Sequence, residues 1–217
     1  MALGRGHGEK GQPVIPPPTE SENTEPGAWD NKNSWSMLSL RDVLRNHGKT
    51  LPELRYGHKM KLAVLVARAL LQLSASSWIT EVLTSENIVL LRKDDATMYN
   101  SIYVSMPILP ARPPALQLNL PTQITKDEQR LFSLGIILIE LALGTCWEQI
   151  RASTGSTSDR DIAQDKLREV REVNEFCYLA AKYCINLEIV DNNRDLETRE
   201  LRKDVCEKVV DRLEDNL

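Results

Sequence analysis

Between Leu131 and Leu143 the chain is apolar all the way round, with only Ser133, Gly135 and Glu140 interrupting a run of leucine, isoleucine, phenylalanine and alanine. A helix with no polar face has nothing to offer water, so other elements must wrap this segment. Thr125 followed by Glu128 has the form of a capping box, and Gly144 supplies a left-handed stop, which predicts a helix over about 127–143. Arg130 bounds the run and Glu140 breaks it, leaving too short a stretch to cross a bilayer. The segment therefore reads as the buried central helix of a globular body.

The other elements are candidates for that wrapping. Leu62, Leu65, Val66, Ala69, Leu70 and Leu73 recur at spacings of three and four, the strongest amphipathic pattern in the chain, predicting a helix over Tyr56–Leu73. Ser39 can cap a short helix carrying Leu40, Val43 and Leu44, stopped by Asn46-His47-Gly48. Helices are also expected over about 160–171, 173–187 and 196–214, the last with Leu201, Val205, Val209 and Leu213 along one stripe. Ile88–Leu91 and the alternation of Ile102, Val104 and Met106 read as one small β-hairpin with a polar connection over Arg92–Asn100. Five prolines between Pro107 and Pro121 demand an irregular loop. The fold class expected is mainly α, a helical bundle around a buried central helix with one hairpin. Residues 1–34, rich in glycine and proline and poor in apolar side chains, are expected to be a disordered tail ahead of a domain over 35–217.

Charge excludes some functions. The net charge of −4 gives no reason to favour nucleic acid or anionic membranes. The small basic groups, Lys59/Lys61 and Arg199/Arg202/Lys203, alternate with apolar residues as on solvated helix faces. Cys146, Cys177, Cys184 and Cys206 form no CxxC pair, and His7, His47 and His58 lie far from them, so core packing is expected instead of a metal site. No N-terminal stretch has the pattern of a signal peptide, and an intracellular, cytoplasmic home is expected.

The order of elements carries a resemblance. Protein kinases place a long helix before a catalytic loop of the form His-Arg-Asp-Leu-Lys-x-x-Asn, then a short strand, then a central helix reading x-Trp-Ser-Leu-Gly-Val-Ile-Leu-x-Glu-Leu. Ile79-Thr80-Glu81-Val82-Leu83-Thr84-Ser85-Glu86-Asn87-Ile88 resembles that loop, and Phe132-Ser133-Leu134-Gly135-Ile136-Ile137-Leu138-Ile139-Glu140-Leu141 resembles that helix. The likeness, spanning about residues 36–215, implies a kinase C-lobe-like fold. The catalytic side chains are absent: Thr80 and Glu81 stand for His and Arg, Val82 for the proton-accepting Asp, and Thr84 for Lys. Only Asn87 keeps a motif identity that could meet a metal. No Asp-Phe-Gly or Ala-Pro-Glu follows, Arg130 takes the place of an Asp, and nothing before Leu38 resembles a Gly-rich loop or strand lysine.

Leu71-Gln72-Leu73, Ser77-Trp78-Ile79 and Tyr183-Cys184-Ile185 further resemble segments of uncharacterised kinase-like proteins of filamentous fungi, some of which join the domain to modules of cell-death or incompatibility signalling. The resemblance implies a non-catalytic, pseudokinase-like interaction or regulatory module serving a protein partner. It implies no cofactor, no metal, no catalytic residue and no small-molecule ligand. Trp78 and Phe132 are expected to pack beneath the loop. The alternatives are an atypical phosphotransferase, with Glu81 or Glu86 as base and Asp94 or Asp95 on the metal, or a fragment of a larger kinase-like protein.

Overall fold

The computed structural model describes residues 35–46, 51, 54–74, 82–93, 96–105, 125–156, 158–186, 196 and 199–217. All of them belong to one compact unit, Asn33–Leu217. The tail expected over 1–34 and the proline-rich segment 107–121 lie outside the described residues.

The architecture is mainly helical with a small antiparallel sheet, as the sequence pattern predicts. Strand β1 (Trp35–Ser39) leads directly into helix α1 (Leu40–Asn46). The Ser39 hydroxyl accepts from the Asp42 N–H at 3.0 Å and donates to its carboxylate at 2.7 Å, which is the cap the sequence suggests. Helix α2 (Tyr56–Ser74) follows, then strands β2 (Ile88–Lys93) and β3 (Ala96–Val104). Helices α3 (Lys126–Leu143), α4 (Trp147–Ser153), α5 (Asp159–Val173) and α6 (Glu175–Asn186) form the body. The chain ends in one continuous rod made of α7 (Arg199–Val205), a π-helical turn over Cys206–Val210 and α8 (Asp211–Glu214).

Two sequence expectations for the sheet need correcting. The sheet has three strands in the order β1-β2-β3, not two, because Trp35–Ser39 pairs antiparallel with β2, Met37 opposite Leu91. The alternation Trp-Ser-Met in this segment suits a strand, yet the segment is too short to declare itself without a partner. The hairpin connection is also far shorter than the polar stretch Arg92–Asn100, since Lys93 already pairs with Ala96. Polar residues there sit on strands with a solvent-facing side, where polarity does not mark a loop.

Helix α3 occupies the centre. Every residue from Leu131 through Ala142 is buried, with α2, α5 and α6 packed against it. The expected cap forms: the Thr125 hydroxyl accepts from the Glu128 N–H at 3.2 Å, and the Thr125 N–H reaches the Glu128 carboxylate at 2.8 Å. At the far end Gly144 adopts φ 70°, and its N–H closes on the Glu140 carbonyl at 2.8 Å. The thiols of Cys177 and Cys184 are buried in α6, where desolvation raises the pKa of both, Cys177 to about 12.

Gly135 shows how close α6 comes. A Cβ placed there would stand 2.7 Å from Ile185 Cδ1 and 3.2 Å from Cys184 Cβ. Overpacking of that kind costs about 1–3 kcal/mol, more than the ~1 kcal/mol that replacing a helical glycine returns. Gly135→Ala is therefore expected to lower stability by up to about 2 kcal/mol in urea unfolding, and Ile185→Val in the same chain to recover part of the loss. A Gly135→Ala protein as stable as the parent would show that the α3–α6 contact is slack.

Candidate functional site

The loop before β2 lies across the face of α3 formed by Ser133, Ile136, Ile137 and Glu140, a spacing of three and four that aligns these residues along one side. Leu83, Thr84 and Ser85 are buried against it, and the gap left between loop and helix is about 10 Å³, room for one water at most.

Thr84 and Asn87, two of the motif positions, are brought together. The Asn87 side-chain carbonyl accepts from the Thr84 N–H at 3.1 Å and from the Thr84 hydroxyl at 2.8 Å, while the Asn87 N–H returns to the Thr84 carbonyl at 3.0 Å. The Asn87 amide nitrogen donates to the Ser105 carbonyl at 3.3 Å, and the Ser105 N–H donates to the Asn87 carbonyl at 2.8 Å. Both ends of the Asn87 amide are thus engaged in closing a turn and fastening it to the end of β3. Val82 is half-buried and offers no polar atom from its side chain. Thr80, Glu81, Trp78, Asp94 and Asp95 lie outside the described residues. Glu86 pairs with Arg41 at 3.2 Å, and Arg41 also reaches Glu148 at 3.5 Å.

The polar centre of this region is Glu140, a residue quoted within the central-helix motif but assigned no role from sequence. Its Oε1 accepts from the Ser85 hydroxyl at 3.0 Å and from the Trp147 N–H at 2.7 Å. One carboxyl oxygen thus joins the loop, the central helix and the first turn of α4. The Arg41 N–H donates to the Ser85 carbonyl at 3.0 Å, bringing α1 into the same cluster. Burial pushes the Glu140 pKa up to about 8, against the lowering effect of its two hydrogen bonds. Burial thus favours the protonated form of this carboxyl. The signal available in the sequence was a lone acid inside an otherwise apolar helix, which marks burial without naming partners.

Next to it, Asp159 at the start of α5 is fully buried and accepts from the Trp147 indole N–H at 2.9 Å. The Arg151 guanidinium spans both of its oxygens at 2.6 Å. This pairing locks α4 onto α5 with bidentate geometry. Phe132 is buried, with the Arg160 guanidinium 5.9 Å from its ring centre.

Among the described residues no three His, Cys, Asp or Glu side chains are grouped to hold a metal. None of their helices is singly long and apolar enough to cross a membrane; α3 and α4 pass that test only as a pair, bent by 82°. Fold and site together define a mainly helical domain in which the described loop residues Thr84, Ser85 and Asn87 spend their polar side chains on internal bonds. The chain belongs to the family described as a domain of unknown function (DUF7580), matched over residues 15–217. Nothing among curated proteins or solved structures matches it.

The Glu140 carboxyl ties stability to pH. Its folded pKa lies above the ordinary 4.5, so the folded state holds a proton that the unfolded state releases between 4.5 and about 8. Stability from this group is complete below that window and falls through it by about 1.4 kcal/mol per pH unit at most. Glu140→Gln keeps an oxygen for Ser85 and Trp147 but cannot ionise. It is expected to flatten this slope and to be the more stable protein at pH 8.5, measured by urea unfolding at pH 5.5 and 8.5. Parallel pH profiles for the two proteins would rule the mechanism out.

Proposed function

We propose that the chain is a non-catalytic, pseudokinase-like interaction module, with a loop that once had a catalytic pattern and now serves as structure. The matched family carries no description beyond a domain of unknown function, so the kinase likeness rests on motif and element order alone. The observation that carries the non-catalytic reading is Asn87: the one retained motif residue with a polar side chain has its amide oxygen committed to Thr84 and its amide nitrogen to Ser105. A side chain held that way is poorly placed to ligate magnesium, which needs a set of oxygen ligands around it.

The sheet supports the interaction half of the proposal. Register places Trp35 and Met37 of β1 and Tyr103 of β3 on one face, Met37 opposite Leu91 and Tyr103 opposite Val89. These three side chains are 54%, 76% and 52% exposed. Large apolar groups clustered on one sheet face are a feature of protein contact surfaces. A partner covering this face would have a regulatory or scaffolding relation to the domain, in fungal signalling if the resemblance to those proteins holds.

The reading predicts no phosphoryl transfer to protein substrates and no change in melting temperature with magnesium and ATP. A reproducible rise of several degrees, or transfer of labelled phosphate lost on Asn87→Ala, would refute it. For the contact face, Met37→Asp with Tyr103→Asp should leave the melting temperature nearly unchanged. The same pair should abolish a specific cross-link formed in extract of the source cells from a photoreactive residue at position 93, which lies opposite Trp35 on the same face.

A further inference from the structure

A groove of about 350 Å³ opens between the start of α2, the end of α3 and the α5–α6 junction. Leu54, Met60, Ala142 and Cys177 give it an apolar floor, and Tyr56 and Val173 line it while about half exposed. Its size falls at the small end of the range for small-molecule sites, roughly 300–1,000 Å³, and its lining is the expected mixture of apolar wall and few polar groups.

Arg55 and Lys59 line the groove, and no carboxylate among the described residues does. Lys59 is held against the end of α3 by a bond from its ammonium to the Ala142 carbonyl at 3.4 Å. Helix α2 starts at the same place with no acidic residue in its first turn, so the positive end of its dipole adds to the two cations. By contrast, α6 begins with Glu175 and has its Cys177 N–H capped by the Asn174 side chain at 2.8 Å. A cationic mouth over an apolar floor, in a chain of net charge −4, is complementary to an anion with an apolar body.

We infer that this groove binds a small amphipathic carboxylate, with Arg55 and Lys59 on the anionic head and the hydrocarbon lying over Met60, Ala142 and Val173. Nothing in the sequence pattern suggests it, since these residues come from four separate elements. The site does not depend on the reading of the loop, and it stands whether or not the sheet face has a partner.

Sodium decanoate serves as the probe, titrated below its micellar concentration into the full chain by calorimetry, with decanol as the neutral comparison. Saturable one-to-one binding is expected, with Kd on the order of 0.1–1 mM for a ligand of this size. Arg55 is exposed, so Arg55→Glu should fold normally and weaken decanoate at least fivefold while leaving decanol unaffected. Val173→Cys blocked with N-ethylmaleimide should lose binding, and the parent chain treated alike should keep it. Absence of saturable binding, or equal decanoate affinity in Arg55→Glu, overturns the proposal; so does binding that survives the blocked Val173→Cys.

Discussion

Enclosing α3 is the constraint from which the rest of the structure follows. A helix apolar on every side transfers its whole surface out of water, at about 1.5–3 kcal/mol for each large side chain, and gives no direction of its own to the fold. Direction comes from what interrupts it. Gly135 removes a side chain where α6 must approach closely, and Glu140 adds an acceptor where backbone and hydroxyl donors must end. The first sets which helix lies nearest, and the second sets which loop and which turn come to that side.

Glu140 carries a cost along with its bonds. A buried carboxyl is tolerated when it stays protonated and its oxygens are engaged, and desolvation is the larger influence here. An apolar residue in its place would leave the Trp147 N–H and the Ser85 hydroxyl buried and unpaired, a penalty of about 1–3 kcal/mol each. Asp159 follows a different logic nearby. Its two oxygens meet a bidentate guanidinium, and Arg151 keeps part of its side chain in solvent, which reduces the desolvation that a wholly interior ion pair would suffer. Trp147 stands between the two acids, giving its backbone N–H to one and its indole N–H to the other. The α3–α4 corner is therefore held by one residue that satisfies two buried acids at once.

Much of the fold was legible because its signals are local. The capping box at Thr125 and Glu128, the stop at Gly144 and the Ser39 cap each depend on residues a few positions apart, and each appears where the pattern places it. Helix α2 forms where predicted, but its buried face turns toward Met60, Ala63, Ala67, Leu71 and Ser74, leaving Leu65, Ala69 and Leu73 of the expected stripe half-buried. The third strand was not legible, because Trp35–Ser39 becomes a strand only through β2, more than fifty residues later. The hydrogen-bonded cluster was half legible. Thr84, Asn87 and Glu140 stood out as motif positions, but spacing says nothing of Ser85 reaching Glu140 or Asn87 reaching Ser105. The groove was wholly illegible, since Arg55, Ala142 and Val173 share no periodicity and meet only in three dimensions.

This arrangement separates two surfaces by the rigidity of what lies between them. The loop side is closed by internal bonds, with its polar groups turned inward onto Glu140 and Thr84, so it presents shape to a partner more than chemistry. The groove at the start of α2 keeps cations over an apolar floor, where the Tyr56 hydroxyl also accepts from the side chains of Asn174 and Asn216. Tyr56 thereby links the first turn of α2 to the α5–α6 junction and to the C-terminal rod.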